Sequence, residues 1–272
     1  SLPLSRIIST AMTIAIIQTA PVWGDIAHNH LQAERMILSA PQADLYVLPE
    51  MWATGFWTSP DDVAEHITAS PTLAWMREMA ARRDAAIAGS VAIRAADETY
   101  RNRMFFVRPD GTFDHYDKRH LFSYGGEDRR YTAGGRRKVV EWRGVRFLLQ
   151  ICYDLRFPIF SRNDSDYDVA LYVASWPESR IDVWRTLLKA RAIENQCYAV
   201  GVNRCGDDPV AHYCGATMAF DAYGNVVASC EDNTESVGVM TVDMERLTRF
   251  RERFPVLADA DHIITEDNTP WR

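Results

Sequence analysis

The chain has 272 residues, of which 47% are hydrophobic and 25% are charged, a balance typical of a globular protein with a large buried core. Its formal net charge is -7 at pH 7, and its arginines and lysines are scattered among acidic residues, which argues against nucleic acid or an anionic membrane as the main partner. No apolar stretch approaches the roughly 18 residues of a membrane span.

The five cysteines are irregularly spaced and include no C-x-x-C pair. We therefore expect neither a disulfide framework nor a structural zinc site, and the pattern favours a reducing cytoplasm. Residues 1–11 contain too short an apolar patch for a secretory signal. We interpret 1–11 as an N-terminal extension that the fold does not require, and 12–272 as one domain.

The first half of the chain alternates between strand and helix patterns. Short apolar runs predict strands at 12–17 and 44–48, and the amphipathic stretch 26–38 between them predicts a helix. Ser70 followed by Pro71 predicts the start of a second helix, because serine caps helices and proline favours their first position. Further strands are predicted at 86–93, 101–107 and 112–116, with a turn at 109–111 before the last of them.

The second half begins after a glycine-containing loop at 119–137. Strands are predicted at 139–142, 145–151, 169–173, 198–202, 216–220, 226–228 and 237–242, and helices at 180–194 and 244–253. Neither a fixed repeat nor a linker interrupts this order. The pattern therefore indicates a single α/β domain with helices packed outside sheets.

Three residues of complementary chemistry follow predicted strands. Cys152 lies in LLQICYDLRFP, where the chain must turn before a proline and can expose a nucleophile. Glu50, in DLYVLPEMWATGF, has apolar neighbours that can raise a carboxyl pKa into the range of acid and base catalysis. Lys118, in HYDKRHLF, can stabilise a thiolate or an oxyanion. Each residue alone has an ordinary structural interpretation, but together they favour an active site.

These segments carry a family resemblance. LPEMWATGF, YDKRHLF and CYDLRFP resemble the three signature blocks of the carbon–nitrogen hydrolase (nitrilase) superfamily, in the order that family uses, and the similarity continues through YVASWP, KARAIENQCYAVGVNR and RERFP. It covers nearly all of 12–272, which we interpret as a carbon–nitrogen hydrolase domain. Within the superfamily the chain resembles the bacterial omega-amidases. The resemblance implies hydrolysis of the distal amide of 2-oxo dicarboxylic acid monoamides, such as 2-oxoglutaramate and 2-oxosuccinamate, through a cysteine thioester.

The resemblance also assigns catalytic roles. It implies that Cys152 is the nucleophile, that Glu50 carries the proton, and that Lys118 holds the oxyanion together with the backbone N–H of Tyr153. A second glutamate of the family has its best match in Glu127, within SYGGEDRRYTAGG. That residue would orient the lysine or the amide.

A substrate-binding role is predicted for Arg156, four residues after the nucleophile, where carboxylate-selective members of the family have an arginine. A guanidinium there can contact a carboxylate through two hydrogen bonds. The alternative is a structural salt bridge with Asp154 or Asp168.

Aromatic residues occur beside the catalytic segments, and we expect one or two of them to shape a small acyl pocket, while core packing is the alternative for each. The candidates are Trp52, Phe56, Phe122 and Trp176. Phe122 and Trp176 are our predicted pocket residues.

The resemblance implies a four-layer α-β-β-α sandwich whose protomers pair into a homodimer, with a small-molecule amide as substrate and no metal or organic cofactor. The alternatives are a nitrilase, a carbamoylase or an amidase for another acyl chain, and a catalytically silent binding protein. A metal site at His28 and His30, or at Asp207, Asp208 and His212, is weakly supported because neither group has further convergent ligands.

Overall fold

The computed structural model describes residues 11–261, so the predicted extension lies outside the described residues except for Ala11. The helices are α1 (Ile26–Ser39), α2 (Pro71–Arg83), α3 (Pro158–Ser161), α4 (Ile181–Glu194) and α5 (Met244–Arg253). The strands are β1 (Ala11–Gln18), β2 (Leu45–Val47), β3 (Glu65–His66), β4 (Ala86–Arg94), β5 (Tyr100–Val107), β6 (Phe113–Asp117), β7 (Val139–Trp142), β8 (Val145–Ile151), β9 (Val169–Ala174), β10 (Tyr198–Asn203), β11 (Cys205–Asp207), β12 (His212–Cys214), β13 (Met218–Phe220), β14 (Val226–Ser229) and β15 (Ser236–Asp243).

Two sheets form the centre of the molecule. The first has the strand order β15-β1-β2-β4-β5-β6, with β3 beside β4, and the second has the order β14-β13-β10-β9-β8-β7. In each sheet the central strands are parallel, β1, β2 and β4 in the first and β8, β9 and β10 in the second, and antiparallel strands flank them. The turn predicted at 109–111 joins the antiparallel strands β5 and β6.

Three apolar clusters define the layers. Residues of both sheets, such as Ile16 and Val47 from the first and Leu149 and Leu171 from the second, form one cluster between them. A second cluster joins the outer face of the first sheet to α1 and α2, and a third joins the outer face of the second sheet to α4. Each sheet thus buries both of its faces, and the four layers have the predicted order α-β-β-α.

The predicted start of α2 follows from local chemistry. The Ser70 hydroxyl oxygen accepts a hydrogen bond from the Leu73 N–H at 3.0 Å, and Pro71 occupies the first helical position. The serine thus pairs one of the N–H groups that a helix start leaves without an internal partner. The helix ends where Asp84 adopts a left-handed backbone with φ 44°.

The hairpin of β11 and β12 was not predicted from the sequence, because each strand has only three residues. Its turn is held by Asp208, whose carboxylate accepts hydrogen bonds from the N–H groups of Val210 and Ala211 at 2.7 and 2.8 Å. Helix α3 was also missed, since four residues carry no periodic pattern. Among residues 11–261, no helix is both long and apolar enough to cross a membrane.

Strand direction brings the three candidate catalytic residues to one end of the sandwich. Strands β2 and β6 run the same way, because β4 is parallel to β2 and two antiparallel pairings separate β4 from β6. Glu50 follows β2 by three residues, Lys118 directly follows β6, and Cys152 directly follows β8 of the facing sheet. The two sheets thus bring a carboxylate, an ammonium and a thiol to neighbouring loops.

Candidate active site

A buried ammonium between two carboxylates forms the base of the site. The Nζ atom of Lys118 lies 2.8 Å from Oε1 of Glu50 and 2.8 Å from Oε2 of Glu127. All three side chains are buried, with 1% or less of their surface exposed. An ammonium has three N–H donors, so these two contacts leave one donor for another acceptor.

Further hydrogen bonds fix both carboxylates. The amide nitrogen of Asn102, on β5, donates to Oε1 of Glu50 at 2.8 Å and to Oε1 of Glu127 at 3.1 Å. The Ser175 N–H, after β9, donates to Oε2 of Glu50 at 2.9 Å, and the Phe122 N–H donates to Oε2 of Glu127 at 2.7 Å. A buried charge that receives this many hydrogen bonds is held in one position. The Ser175 contact also joins the two sheets.

Cys152 adopts a strained backbone at the end of β8. Its φ is 45°, in the left-handed region that a non-glycine residue rarely adopts. The turn is held by Asp154, whose buried carboxylate accepts from the Ile151 N–H at 2.9 Å, the Tyr116 hydroxyl at 2.7 Å and the His120 N–H at 3.0 Å. Asp154 thereby ties the turn of Cys152 to the segment that follows Lys118.

The charges of this cluster set its protonation. Burial alone would lower the pKa of Lys118, but the Glu127 and Glu50 carboxylates together raise it above its ordinary value, so the lysine stays charged. Burial raises the pKa of Glu127 above its ordinary value, although the nearby Lys118 charge acts to lower it. Burial and the negative charge of Glu50 raise the pKa of the Cys152 thiol, and the thiol is therefore neutral at pH 7. Because the resting thiol is neutral, a base must take its proton before it can attack.

Above this cluster lies a cavity of about 640 Å³. Glu50, Lys118 and Cys152 line it, whereas Glu127 does not line the cavity and contacts two residues that do, Lys118 and Phe122. Eight aromatic residues also line it, namely Trp23, Phe56, Trp57, Phe122, Tyr124, Tyr153, Trp176 and Tyr213. The volume and the few polar groups suit a small organic molecule.

The aromatic candidates separate into two groups. Phe122, Trp176 and Phe56 line the cavity, and the ring of Phe56 lies 5.3 Å from the Lys118 ammonium. Trp52 does not line it. That residue is buried against Trp75, with ring centroids 4.8 Å apart, so core packing is the correct interpretation for Trp52.

Arg156 lines the cavity and is exposed, and its guanidinium lies 5.3 Å from the centre of the Trp176 ring. The alternative partners are occupied elsewhere, because Asp154 holds the nucleophile turn and Asp168 pairs with Arg146 and Arg251. Among the described residues no carboxylate forms an ion pair with Arg156. The guanidinium is thus available to a substrate.

The comparisons with known proteins agree with this geometry. A family model described as carbon-nitrogen hydrolase matches residues 13–252. The chain belongs to the carbon–nitrogen hydrolase family. The omega-amidase YafV of Yersinia enterocolitica is 44% identical over 256 residues, which cover 94% of this chain and 99% of that protein. The 2-oxoglutaramate amidase of Bacillus subtilis strain 168 is 33% identical, over 91% of this chain and 96% of that protein.

A solved structure matches this hydrolase closely. XC1258 from Xanthomonas campestris, described as a CN-hydrolase superfamily protein with an arsenic adduct in the active site, has a TM-score of 0.90 at 41% identity. The match covers 94% of this chain and 99% of that one. The predicted superfamily and its α-β-β-α sandwich are therefore confirmed.

Three residues near the catalytic cluster of this hydrolase were not predicted from its sequence. Asn102 and Ser175 bond the carboxylates, and Arg180 places a second guanidinium at the cavity wall. Asn102 lies inside a strand and Ser175 acts through its backbone, so neither position carries a local signal. Arg180 precedes α4 and reads as an ordinary helix-start residue.

The metal alternatives find no support in the described part of this hydrolase, where no group of three or more histidine, cysteine or acidic residues could hold a metal ion. The imidazole of His212 is bonded to Asp207 at 2.7 Å and to Asn233 at 2.8 Å. His30 bonds the hydroxyl of Thr72 at 2.9 Å. These contacts are structural.

The charge of Glu50 generates a testable prediction for the thiol. Because a nearby negative charge disfavours the thiolate, Glu50→Gln should lower the pKa of Cys152. We expect the pH profile of Cys152 alkylation by iodoacetamide, followed by intact mass, to shift to lower pH. Glu65→Gln is the control, because Glu65 is also a buried carboxylate but bonds the start of α2 and does not line the cavity. An unchanged or higher pKa in Glu50→Gln would contradict this account.

Proposed function

We propose that this enzyme is an omega-amidase that hydrolyses the distal amide of 2-oxo dicarboxylic acid monoamides, such as 2-oxoglutaramate and 2-oxosuccinamate, to the 2-oxo acid and ammonia. The observation that carries the proposal is the arrangement of a neutral Cys152 thiol, a Glu50 carboxylate and a charged Lys118 at one cavity. The wall of this cavity also bears Arg156, which has no ion-pair partner within 11–261. The names of the omega-amidase and 2-oxoglutaramate amidase relatives support the substrate class.

Acylation begins with proton transfer from the Cys152 thiol to the Glu50 carboxylate. The sulfur then attacks the amide carbon, and a carbon–sulfur bond forms as the carbonyl electrons move to oxygen. The third N–H of the Lys118 ammonium and the backbone N–H of Tyr153 hold this oxyanion. Glu50 returns its proton to the amide nitrogen, the carbon–nitrogen bond breaks, and ammonia leaves a thioester on Cys152.

Deacylation uses the same carboxylate. Glu50 takes a proton from a water molecule, whose oxygen attacks the thioester carbon and forms a second oxyanion at Lys118. The carbon–sulfur bond then breaks, the acid is released, and the proton on Glu50 returns to the Cys152 sulfur. Each proton taken in one half of the cycle is returned in the same half, so the enzyme ends the cycle unchanged.

Glu127 and Asn102 act as positioning residues in this proposal. Glu127 keeps the Lys118 ammonium charged and directed, and Asn102 holds both carboxylates at a fixed separation through its amide N–H groups. Because the donors are already held in position, little reorganisation is needed when charge develops on the substrate oxygen. Phe122 and Trp176 form the walls along which the short acyl chain lies.

Turnover of a substrate panel tests the function. We expect the parent enzyme to release ammonia from 2-oxoglutaramate and 2-oxosuccinamate in preference to glutamine, simple amides and nitriles. Cys152→Ala removes the nucleophile and should lower kcat/KM by roughly 10⁴-fold or more, while Cys197→Ala, at a buried thiol far from the cavity wall, should keep most of it. Substantial amide hydrolysis by Cys152→Ala would contradict the mechanism.

Arg156 supplies the second prediction. Because the Arg156 guanidinium is exposed, its contact with a substrate carboxylate should be a partly solvated charge-assisted hydrogen bond. We therefore expect Arg156→Ala to raise the activation free energy that corresponds to kcat/KM for 2-oxoglutaramate by about 1.5–3 kcal/mol. The uncharged pentanamide should be affected far less. Equal losses on both amides would mean that Arg156 supports the nucleophile turn and that the substrate carboxylate binds elsewhere.

We further propose that the enzyme works as a homodimer in the cytoplasm. The five cysteines are all free in the structure, which agrees with a reducing compartment, and the superfamily resemblance supports pairing of two sandwiches. Light scattering of the purified protein should give twice the 31.0 kDa mass of the chain, and cell fractionation should recover the activity with cytoplasmic markers. A monomer mass, or activity outside the cytoplasm, would contradict the corresponding proposal.

A further inference from the structure

The cavity wall bears a second guanidinium, that of Arg180. This residue ends the short turn Glu178–Arg180 directly before α4, and its side chain lines the same cavity as Arg156. Its guanidinium lies 5.6 Å from the centre of the Phe122 ring, within the range of a cation–π contact. Among residues 11–261 no carboxylate forms an ion pair with it, so its N–H donors can bind a ligand.

The two guanidiniums are held by connected parts of the wall. The indole N–H of Trp176 donates to the backbone carbonyl of Arg180 at 2.9 Å, and the guanidinium of Arg156 lies over the same Trp176 ring. The Phe122 ring beneath Arg180 packs edge-on against Tyr153, with centroids 5.2 Å apart. Since Tyr153 follows the nucleophile directly, both guanidiniums are fixed relative to Cys152.

The other charged side chains that line the cavity are paired. The Lys118 ammonium forms an ion pair with Glu50, which also lines the cavity. The Asp208 carboxylate, also at the wall, lies 3.9 Å from the guanidinium of Arg204 and accepts the Tyr213 hydroxyl at 2.7 Å in addition to two backbone N–H groups. Among residues 11–261, the charge at the wall that has no ion-pair partner is therefore the positive charge of two guanidiniums, which together present more N–H donors than one carboxylate needs.

We infer that Arg180 is a specificity residue that acts with Arg156 to bind the 1-carboxylate and the adjacent 2-oxo oxygen of the substrate; this inference rests on the proposed function and deepens it. A 2-oxo acid offers three acceptor oxygens at that end, which matches two planar donor groups. An α-amino acid amide such as glutamine places an ammonium at the same position. Both guanidiniums repel that ammonium, so Arg180 disfavours amino acids as well as binding 2-oxo acids.

The test compares one substitution across substrates that differ only at that end. We would measure kcat/KM of the parent, Arg180→Gln, Arg180→Lys and Arg185→Gln on 2-oxoglutaramate, glutaramate, glutamine and pentanamide. Arg185 is the matched control, because it lies on α4, pairs with Asp232 and does not line the cavity. The backbone carbonyl of Arg180 that bonds Trp176 is kept in every variant.

We expect Arg180→Gln to lower kcat/KM for 2-oxoglutaramate by roughly tenfold to a hundredfold, the usual effect of one charge-assisted bond. The loss should be smaller for glutaramate, which lacks the 2-oxo oxygen, and absent for pentanamide, and the preference over glutamine should fall by at least the same factor. Arg180→Lys should recover part of the activity, and Arg185→Gln should match the parent. Equal losses on all four substrates, or no loss on 2-oxoglutaramate, would overturn the inference.

A binding measurement separates this inference from the proposed function. The product 2-oxoglutarate has no scissile amide, and it should protect Cys152 from iodoacetamide in the parent and in Arg185→Gln but much less in Arg180→Gln. Arg180-dependent protection in an enzyme that does not hydrolyse 2-oxoglutaramate would contradict the proposed function and support the inference. Undiminished protection in Arg180→Gln, with normal turnover of 2-oxoglutaramate by the parent, would contradict the inference alone.

Discussion

The ammonium of Lys118, buried between the carboxylates of Glu50 and Glu127, is the interaction on which the rest of the site depends. Removing an isolated charge from water costs several kcal/mol even after relaxation, and a buried ion is tolerated only when it is paired and hydrogen-bonded. Each carboxylate would be costly alone at 0% exposure. The Lys118 ammonium forms an ion pair with each carboxylate. The N–H groups of Asn102 and Ser175 donate further hydrogen bonds to Glu50.

The same cluster explains how a neutral thiol can work beside a charged lysine. An ammonium alone would favour the thiolate of Cys152, but burial and the negative charge of Glu50 have the larger effect and raise the pKa of the thiol. In the proposed mechanism the proton stays on sulfur until substrate is in place, and the carboxylate that disfavours the thiolate is also the group that receives its proton. Because the lysine stays charged, its third N–H is the donor that we propose for the oxyanion, and no further proton transfer is needed.

Long-range hydrogen bonds hold two strained backbone conformations in place at the site. Cys152, with φ 45°, and Met51, with φ 43° directly after Glu50, both adopt the left-handed conformation at the turns that follow their strands. Such conformations persist only where surrounding contacts over-determine them. Asp154 does so at the nucleophile turn through three backbone or hydroxyl donors, and Ser90 bonds the Met51 N–H at 2.9 Å.

The sequence by itself determined most of the elements, the superfamily and four charged residues that the structure brings together at the cavity, Glu50, Lys118, Glu127 and Arg156, because hydrophobic period, helix caps and signature blocks are local properties of the chain. Only the tertiary structure decided which groups meet. Asn102 and Ser175 reach Glu50 from segments distant in sequence. Asp154 and Asp168 bind other partners, so that within the described residues Arg156 has no ion pair. Arg180 shares a cavity with the thiol of Cys152. The physical reason is that a hydrogen bond or a charge acts through a few ångströms of space, whereas the sequence orders residues along a chain whose distant segments are brought together only when two sheets pack face to face.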